Sequence, residues 1–268
     1  MHPILLDSFG ITISSYAVVL AIAVVAASAA TVRKAEHRDV RFSYWTAVGA
    51  LLGGMVGARA FWILQFSEWT NLGRAAIVWA PGMVLYGGVL GAVATLVVLS
   101  RIQRQALLPV LDVAAPHAAL GEGIARIGCF LAGCCWGAPC AVPWGVRFPA
   151  GSLAYGAQLE AGLTDASATH SLPVHPTQLY MTVGLAIGYF ALRGILHRPH
   201  PNGLVLASYL AYYGALRFAV ECFRGDSTRP LWGMTLSQAI SVMLLVAGVT
   251  AVVVLQRIDH STNTGSDR

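Results

Sequence analysis

Charge is what this sequence has least of. Of its 268 residues, 11% are charged and 56% are hydrophobic, whereas an average soluble domain carries roughly 25% charged residues. A water-soluble globule of this size could not cover its surface with so thin a polar coat. The same apolar character, with a mean hydropathy of +0.65, excludes a disordered chain. A basic leader is missing too. The first ten residues contain no Lys or Arg and run directly into a full-length apolar segment, so no cleavable signal peptide is expected. Ten-residue alternating strands are absent, which excludes a membrane barrel. No internal repeat or low-complexity tract stands out, and the lack of a repeat disfavours a transporter.

What is present points to an all-α, polytopic membrane helical bundle of about seven transmembrane helices, since a span needs about 20 apolar residues. The spans are expected at Ile11–Val32, Tyr44–Phe66, Met83–Ser100, Leu108–Ala132, Thr177–Leu196, Gly203–Phe223 and Met234–Leu255. Residues 1–268 then form a single integral membrane domain, with an outer-face loop or small head at 136–176 and a cytoplasmic tail at 257–268. Gly49, Gly53, Gly54 and Gly57 in the second span, and Gly87, Gly88 and Gly91 in the third, predict close helix packing. In the long loop, Trp136, Trp144, Phe148 and Tyr155 predict a structured piece at the membrane interface.

The net charge of +5 comes from 17 basic and 12 acidic residues. The basic residues lie in short loops, so they read as topology signals and not as a nucleic-acid surface. Loops after the odd-numbered spans carry ten of them (Arg33, Lys34, Arg38, Arg41, Arg101, Arg104, Arg193, Arg198, Arg257 and Arg268). The opposite side carries four: Arg74, Arg147, Arg224 and Arg229. By the positive-inside rule the N-terminus lies outside and the C-terminus in the cytoplasm.

An arginine inside a bilayer costs roughly 2.5–3.5 kcal/mol on insertion scales, so each one needs a reason. Arg217 has Glu221 one helical turn later, and Arg126 has Glu122 one turn earlier. A local ion pair accounts for either arrangement. A guanidinium also matches phosphate oxygens, and two of them near one leaflet suit a phosphate ligand. Arg59 either snorkels to an interface or pairs with Asp112, which suits a cap of the fourth span. His175, in His175-Pro176-Thr177-Gln178-Leu179-Tyr180, suits a proton acceptor near neutral pH, while Pro176 is an ordinary helix entry. Four cysteines crowd together at Cys129, Cys134, Cys135 and Cys140. Their spacing is not the paired C-x-x-C of a zinc ribbon and encloses no histidine, so small buried residues or a disulfide are expected ahead of a metal.

Taken in order, these segments resemble the prolipoprotein diacylglyceryl transferase family, from about Tyr16 to Val249. The resemblance is carried by Tyr16; Gly57-Ala58-Arg59; Trp79 and Gly82-Met83-Val84-Leu85-Tyr86-Gly87-Gly88; and Asp112 with Ala115-Pro116. It continues through Arg126-Ile127-Gly128-Cys129-Phe130, Gly133 to Gly137, and the His175–Tyr180 segment. Tyr213, Arg217-Phe218, Glu221, Phe223-Arg224 and Leu236-Ser237-Gln238 complete the series.

The resemblance implies a seven-span enzyme of the bacterial inner membrane. Such an enzyme moves the diacylglyceryl group of phosphatidylglycerol to the lipobox cysteine thiol of a lipoprotein precursor, forming a thioether and releasing glycerol-1-phosphate. It implies phosphatidylglycerol, precursor signal peptides and membrane lipid as partners, no nucleic acid, no cofactor and no metal. Arg126 and Arg217 would hold the phosphate, with Glu221 orienting Arg217. Tyr16 and Tyr213 would line the lipid site together with Gly87 and Gly88, and Gly137 would allow close approach in the loop. Tyr86 and His175 complete the expected catalytic set. The sequence departs from the family pattern at three places: Tyr86 replaces a usual histidine, Cys129 a common asparagine, and Cys134 a common glutamate. This Tyr-Gly-Gly and Gly-Cys-Cys-Trp-Gly variant leaves a paralogue with another acceptor as an alternative. A membrane thiol–disulfide oxidoreductase using the outer-face cysteines is the other; it predicts a C-x-x-C pair, where this chain has the adjacent Cys134-Cys135.

Overall fold

The structure, a computed structural model, describes residues 4–8, 11–66, 84–226 and 233–265; for 4–13, 66 and 260–265 it describes the backbone alone. Trp79, Gly82 and Met83 of the family motif, and the loop arginines Arg74, Arg229 and Arg268, lie outside the described residues.

Eight helices are described: α1 (Ser15–Glu36), α2 (Tyr44–Phe66), α3 (Leu85–Ile102), α4 (Leu107–Ala132), α5 (Leu153–Glu160), α6 (Thr177–Leu196), α7 (Leu204–Glu221) and α8 (Leu236–Gly265). Apart from α5, they correspond one to one with the expected spans. One boundary needs correction. The first apolar run opens not as helix but as strand β2 (Ile11–Ser14), paired antiparallel with β1 (Ile4–Ser8). A short apolar run does not distinguish strand from helix by periodicity alone. At the other end, α8 continues through Arg257 to Gly265, so much of the expected tail is helical.

Among the described residues, α1, α2, α3, α6 and α8 are long and apolar enough to cross a membrane. The two remaining long helices, α4 and α7, carry Glu122, Arg126, Arg217 and Glu221. Helix α6 is apolar on both faces. Met181, Leu185 and Leu192 are buried, whereas Val183, Ile187 and Phe190 are exposed. A helix that is apolar all round suits lipid on one side and protein on the other. It stops before Pro199, and Gly203, with φ +96°, turns the chain into α7.

The chain forms two compact units, one of Met1–Ala27 with Ala114–Arg268 and one of Ser28–Val113. In the second unit, α2 and α3 pack with their backbones nearly touching, because a Cβ on Gly57 would stand 2.8 Å from the Gly91 Cα. That contact is the glycine-rich packing expected from the sequence. Arg59 is buried there, with its guanidinium stacked over the Trp62 ring at 4.5 Å.

In the first unit, Ala119 of α4, Met181 and Leu185 of α6 and Val220 of α7 make one buried core, and Tyr180, Tyr209, Tyr213 and Leu216 pack against it. The 136–176 segment is folded around a core of its own. Phe148 is 0% exposed and packs with Ala154, Val174, Trp136 and Val146. Helix α5 is capped by Ser152, whose hydroxyl accepts from Tyr155 N, the usual N-cap geometry. Gln158 Oε1 accepts from Leu172 N at 2.7 Å, and Ser171 Oγ accepts from Phe148 N at 2.9 Å. The expected interfacial aromatics therefore divide: Phe148 and Tyr155 are buried in the head, and Trp144 is exposed.

Candidate active site

Helices α4 and α7 face each other through their polar residues. Arg126 Nη2 donates to Glu122 Oε1 at 2.6 Å, and Tyr213 OH donates to the same oxygen at 3.2 Å. Glu122 thus ties the α4 arginine to α7. One turn beyond Tyr213, Arg217 Nη1 lies 2.8 Å from Glu221 Oε2, and Arg217 Nη2 donates to Ser237 Oγ at 3.2 Å. The Arg217–Glu221 approach is an ion contact without hydrogen-bond alignment. Ser237 is held in place by a capping box, in which Thr235 N donates to Gln238 Oε1 and Gln238 N donates to Thr235 Oγ1. That exchange satisfies two orphan donors at the start of α8.

Glu221 is 1% exposed. Arg126 Nε is buried and has no hydrogen-bond partner among the described residues. Leaving such a donor unmet costs about 1–3 kcal/mol, and an acceptor oxygen from a ligand would remove that cost. The two pairs thus hold their guanidiniums in place while leaving donor capacity open.

Tyr16, 38% exposed, stands at the start of α1 against Gly128, where a Cβ would lie 3.3 Å from its ring. Gly137 is threaded between two other segments. Its N–H donates to His175 O at 3.0 Å, Ala138 N donates to Phe223 O at 2.8 Å, and His175 N returns to Ala138 O at 3.1 Å. A Cβ on Gly137 would lie 2.5 Å from His175 O and 2.7 Å from Phe223 O. The close approach expected at this glycine is therefore one of backbone to backbone. The His175 ring packs on Phe223 at 5.1 Å. Trp144 Nε1 donates to Tyr180 OH at 2.8 Å, and that hydroxyl lies 3.1 Å from His175 Nδ1. An indole N–H can only donate, so the Tyr180 proton is available to Nδ1. Next to this chain, Arg224 binds Asp226 through two hydrogen bonds of 2.6 and 2.8 Å.

Tyr86, Gly87 and Gly88 belong to the other unit, at the start of α3. Gly87 is buried there against Gly57 and Phe61, and Gly88 approaches Gly54 and Ala58. These contacts give both glycines a packing role.

The cysteines are free thiols. Helix α4 ends in a Schellman motif: Gly133, with φ +73°, donates to Phe130 O at 3.2 Å, and Cys134 N donates to Cys129 O at 3.1 Å. This reversal, followed by Cys135 at φ +61°, brings the sulfurs of Cys129, Cys134 and Cys135 within 4.8 Å of one another. The loop is fastened to the start of α6, where Gln178 Nε2 donates to Cys134 O at 2.6 Å and Thr177 Oγ1 donates to Cys135 O at 2.8 Å. Hydrogen bonding with the Cys129 and Cys134 thiols holds the Cys135 thiol below its usual range against burial, and the Arg224 and Arg126 charges add to the effect.

Sequence reasoning found both arginine pairs from their i,i+4 spacing. It gives no hydrogen-bond partner for Ser237, Trp144 or Asp226, whose partners lie far away or in a loop. For Ser237 a usable signal existed, since Thr235-Leu236-Ser237-Gln238 fits the capping-box pattern.

Residues 3–254 match the family model described as prolipoprotein diacylglyceryl transferase. The phosphatidylglycerol–prolipoprotein diacylglyceryl transferase of Geobacter sulfurreducens is 33% identical over 225 residues, covering 82% of this chain and 78% of that one. Its namesake from Mannheimia succiniciproducens is 32% identical over 216 residues (78% and 73%), and that from Clostridium tetani 27% over 252 (93% and 96%). Motif order, the Arg126–Glu122 and Arg217–Glu221 pairs and a match along nearly the whole length agree: the chain belongs to the prolipoprotein diacylglyceryl transferase family.

Proposed function

We propose that this chain transfers the diacylglyceryl group of phosphatidylglycerol to the lipobox cysteine thiol of lipoprotein precursors. The observation that carries the reading is the pair of part-buried arginines, each held by a glutamate on its own helix and each keeping donor capacity for another acceptor. Phosphate oxygens of the lipid supply that acceptor. As the carbon–oxygen bond to glycerol-1-phosphate breaks, negative charge grows on the phosphate, and fixed guanidiniums stabilise it there. Glu122 and Glu221 orient the two arginines, while Tyr213 and Tyr16 line the lipid site. Membranes containing the protein, given labelled phosphatidylglycerol and a lipobox peptide, should yield labelled peptide. Peptide that stays unlabelled while the protein is folded and inserted sinks the reading.

Attack requires a thiolate, and only a few per cent of a free cysteine is ionised near neutrality. In this proposal His175 or solvent takes the thiol proton and Tyr86 positions the reactants, since a phenol is a poor base at neutral pH. His175→Ala should shift the pH dependence of transfer, whereas Tyr86→Phe should lower the rate moderately at every pH. An unchanged profile in the first variant together with a dead second variant would reverse the two roles.

The proposed setting is the bacterial inner membrane, with the N-terminus outside. Reporter fusions after Arg104 and Arg257 should report cytoplasm, and a fusion at Gly151 the outer side. A cytoplasmic signal at Gly151 would overturn this orientation.

A further inference from the structure

We infer that Cys129, Cys134 and Cys135 form a three-thiolate site for a zinc ion whose open fourth position binds the thiol of the lipobox cysteine. For that fourth ligand the inference rests on the transferase reading; the metal site itself does not.

The spacing along the chain argued against a metal, but the folded geometry argues for one. Tetrahedral zinc with bonds of about 2.3 Å sets its sulfurs roughly 3.8 Å apart. The three sulfurs already lie within 4.8 Å of one another, so side-chain rotations suffice to close the site. The backbone imposes this convergence. The Schellman turn folds Cys134 back over Cys129, and Cys135 is held at φ +61°, a region that is unfavourable for a residue with a Cβ. Thr177 and Gln178 fasten the two loop carbonyls.

The donor set selects the ion. Thiolates favour zinc or copper(I) over magnesium or calcium, and a two-electron substitution needs no redox metal. Among the described residues the cluster offers three ligands and no fourth. Catalytic zinc sites have that composition, with three protein ligands and one position left for water or substrate. Three thiolates and a dication carry one net negative charge. Arg126 sits one turn before Cys129 on α4, where it is paired with Glu122.

A coordinated thiol is deprotonated outright. The lipobox S–H binds the fourth position and its proton leaves to solvent. The zinc-held sulfur then attacks the glyceryl carbon through its own electron pair. The carbon–oxygen bond breaks, glycerol-1-phosphate departs with that bond's electrons beside Arg126 and Arg217, and the thioether dissociates from the metal. No oxidant or reductant enters. This route supplies the thiolate without a base at Tyr86.

The test uses the full-length protein, purified in detergent under reducing, oxygen-free conditions. It should hold one equivalent of zinc. Cys129→Ser, Cys134→Ser and Cys135→Ser should each weaken zinc binding by more than about 100-fold, beyond the roughly 10–100-fold that outer-shell changes cost, while Cys140→Ser keeps the full equivalent. Cobalt(II) in place of zinc should give sulfur-to-metal charge-transfer bands that change with a lipobox peptide and not with a peptide carrying serine for its cysteine. Chelation should abolish diacylglyceryl transfer, and added zinc should restore it. Full transfer by metal-free protein overturns the inference and leaves the transferase reading intact. Zinc retained by the triple serine variant, or a disulfide among the three cysteines in the active protein, also overturns it. Zinc bound as expected but with no transfer to any lipobox peptide refutes the substrate assignment at the fourth position and the transferase reading while leaving the metal site standing.

Discussion

Arg126→Ala and Arg217→Ala should each lower diacylglyceryl transfer by at least about 100- to 1,000-fold, the usual effect of removing one preorganised donor from a developing anion. Lysine at either position should rescue poorly, because an ammonium lacks the planar fork that meets two phosphate oxygens at once. The two sites differ in their structural cost. Glu122 keeps Tyr213 as a donor when Arg126 is lost. Glu221, at 1% exposure, loses its 2.8 Å ion contact with Arg217, and removing one partner of a buried ion pair costs about 3–5 kcal/mol. The double variant Arg217→Ala/Glu221→Ala should therefore accumulate in the membrane better than Arg217→Ala alone and remain inactive. Transfer rate and membrane yield, measured on the same preparations, separate the two effects. Full activity in either alanine variant removes that arginine from the mechanism.

Gly137→Val should be nearly as damaging through a different route. The new side chain has no room, since even its first carbon falls 2.5 Å from the His175 carbonyl oxygen and 2.7 Å from that of Phe223. To admit it, the segment must leave both neighbours, breaking the hydrogen bonds of Gly137 N and Ala138 N. Overpacking of this kind costs typically about 1–3 kcal/mol. It also releases His175 from its place on Phe223. Limited proteolysis should then cut between Trp136 and Pro176 in the variant under conditions that spare the parent, and transfer should fall with it. A protease-resistant, active Gly137→Val protein would show that the threaded segment yields without consequence.

Much of this architecture was legible because membrane helices write themselves in long apolar runs. Helices α2 and α6 begin and end at the residues expected from sequence, Tyr44–Phe66 and Thr177–Leu196. The arginine pairs were legible for the same local reason, as partners four residues apart share a helix face. Contacts between segments distant in sequence were not. The core around Phe148 depends on Val174 meeting Val146 across the loop. Asp226 finds Arg224 only through a turn. The thiol cluster depends on two residues at positive φ, one of them a cysteine, which no spacing rule foresees. At the N-terminus the β1–β2 hairpin escaped notice because its apolar residues merge into those of α1.

The uneven apolarity of the long helices also bears on how the protein is made. α4 and α7 are the two that length and composition alone would not commit to lipid, and an ionised residue within a span opposes insertion, by about 2.5–3.5 kcal/mol at its centre and less toward its ends. Neutralisation by a neighbour on the same helix offsets part of that opposition. The rest must come from apolar helices already in place or still to be synthesised. During biogenesis α4 leaves the ribosome behind three apolar helices. α7 emerges between α6 and α8, and its Arg217 finds Ser237 only after the first turn of α8 has formed. α4 and α7 are therefore guests of the helices around them, and the contact of Arg217 with Ser237 is completed from the C-terminal end.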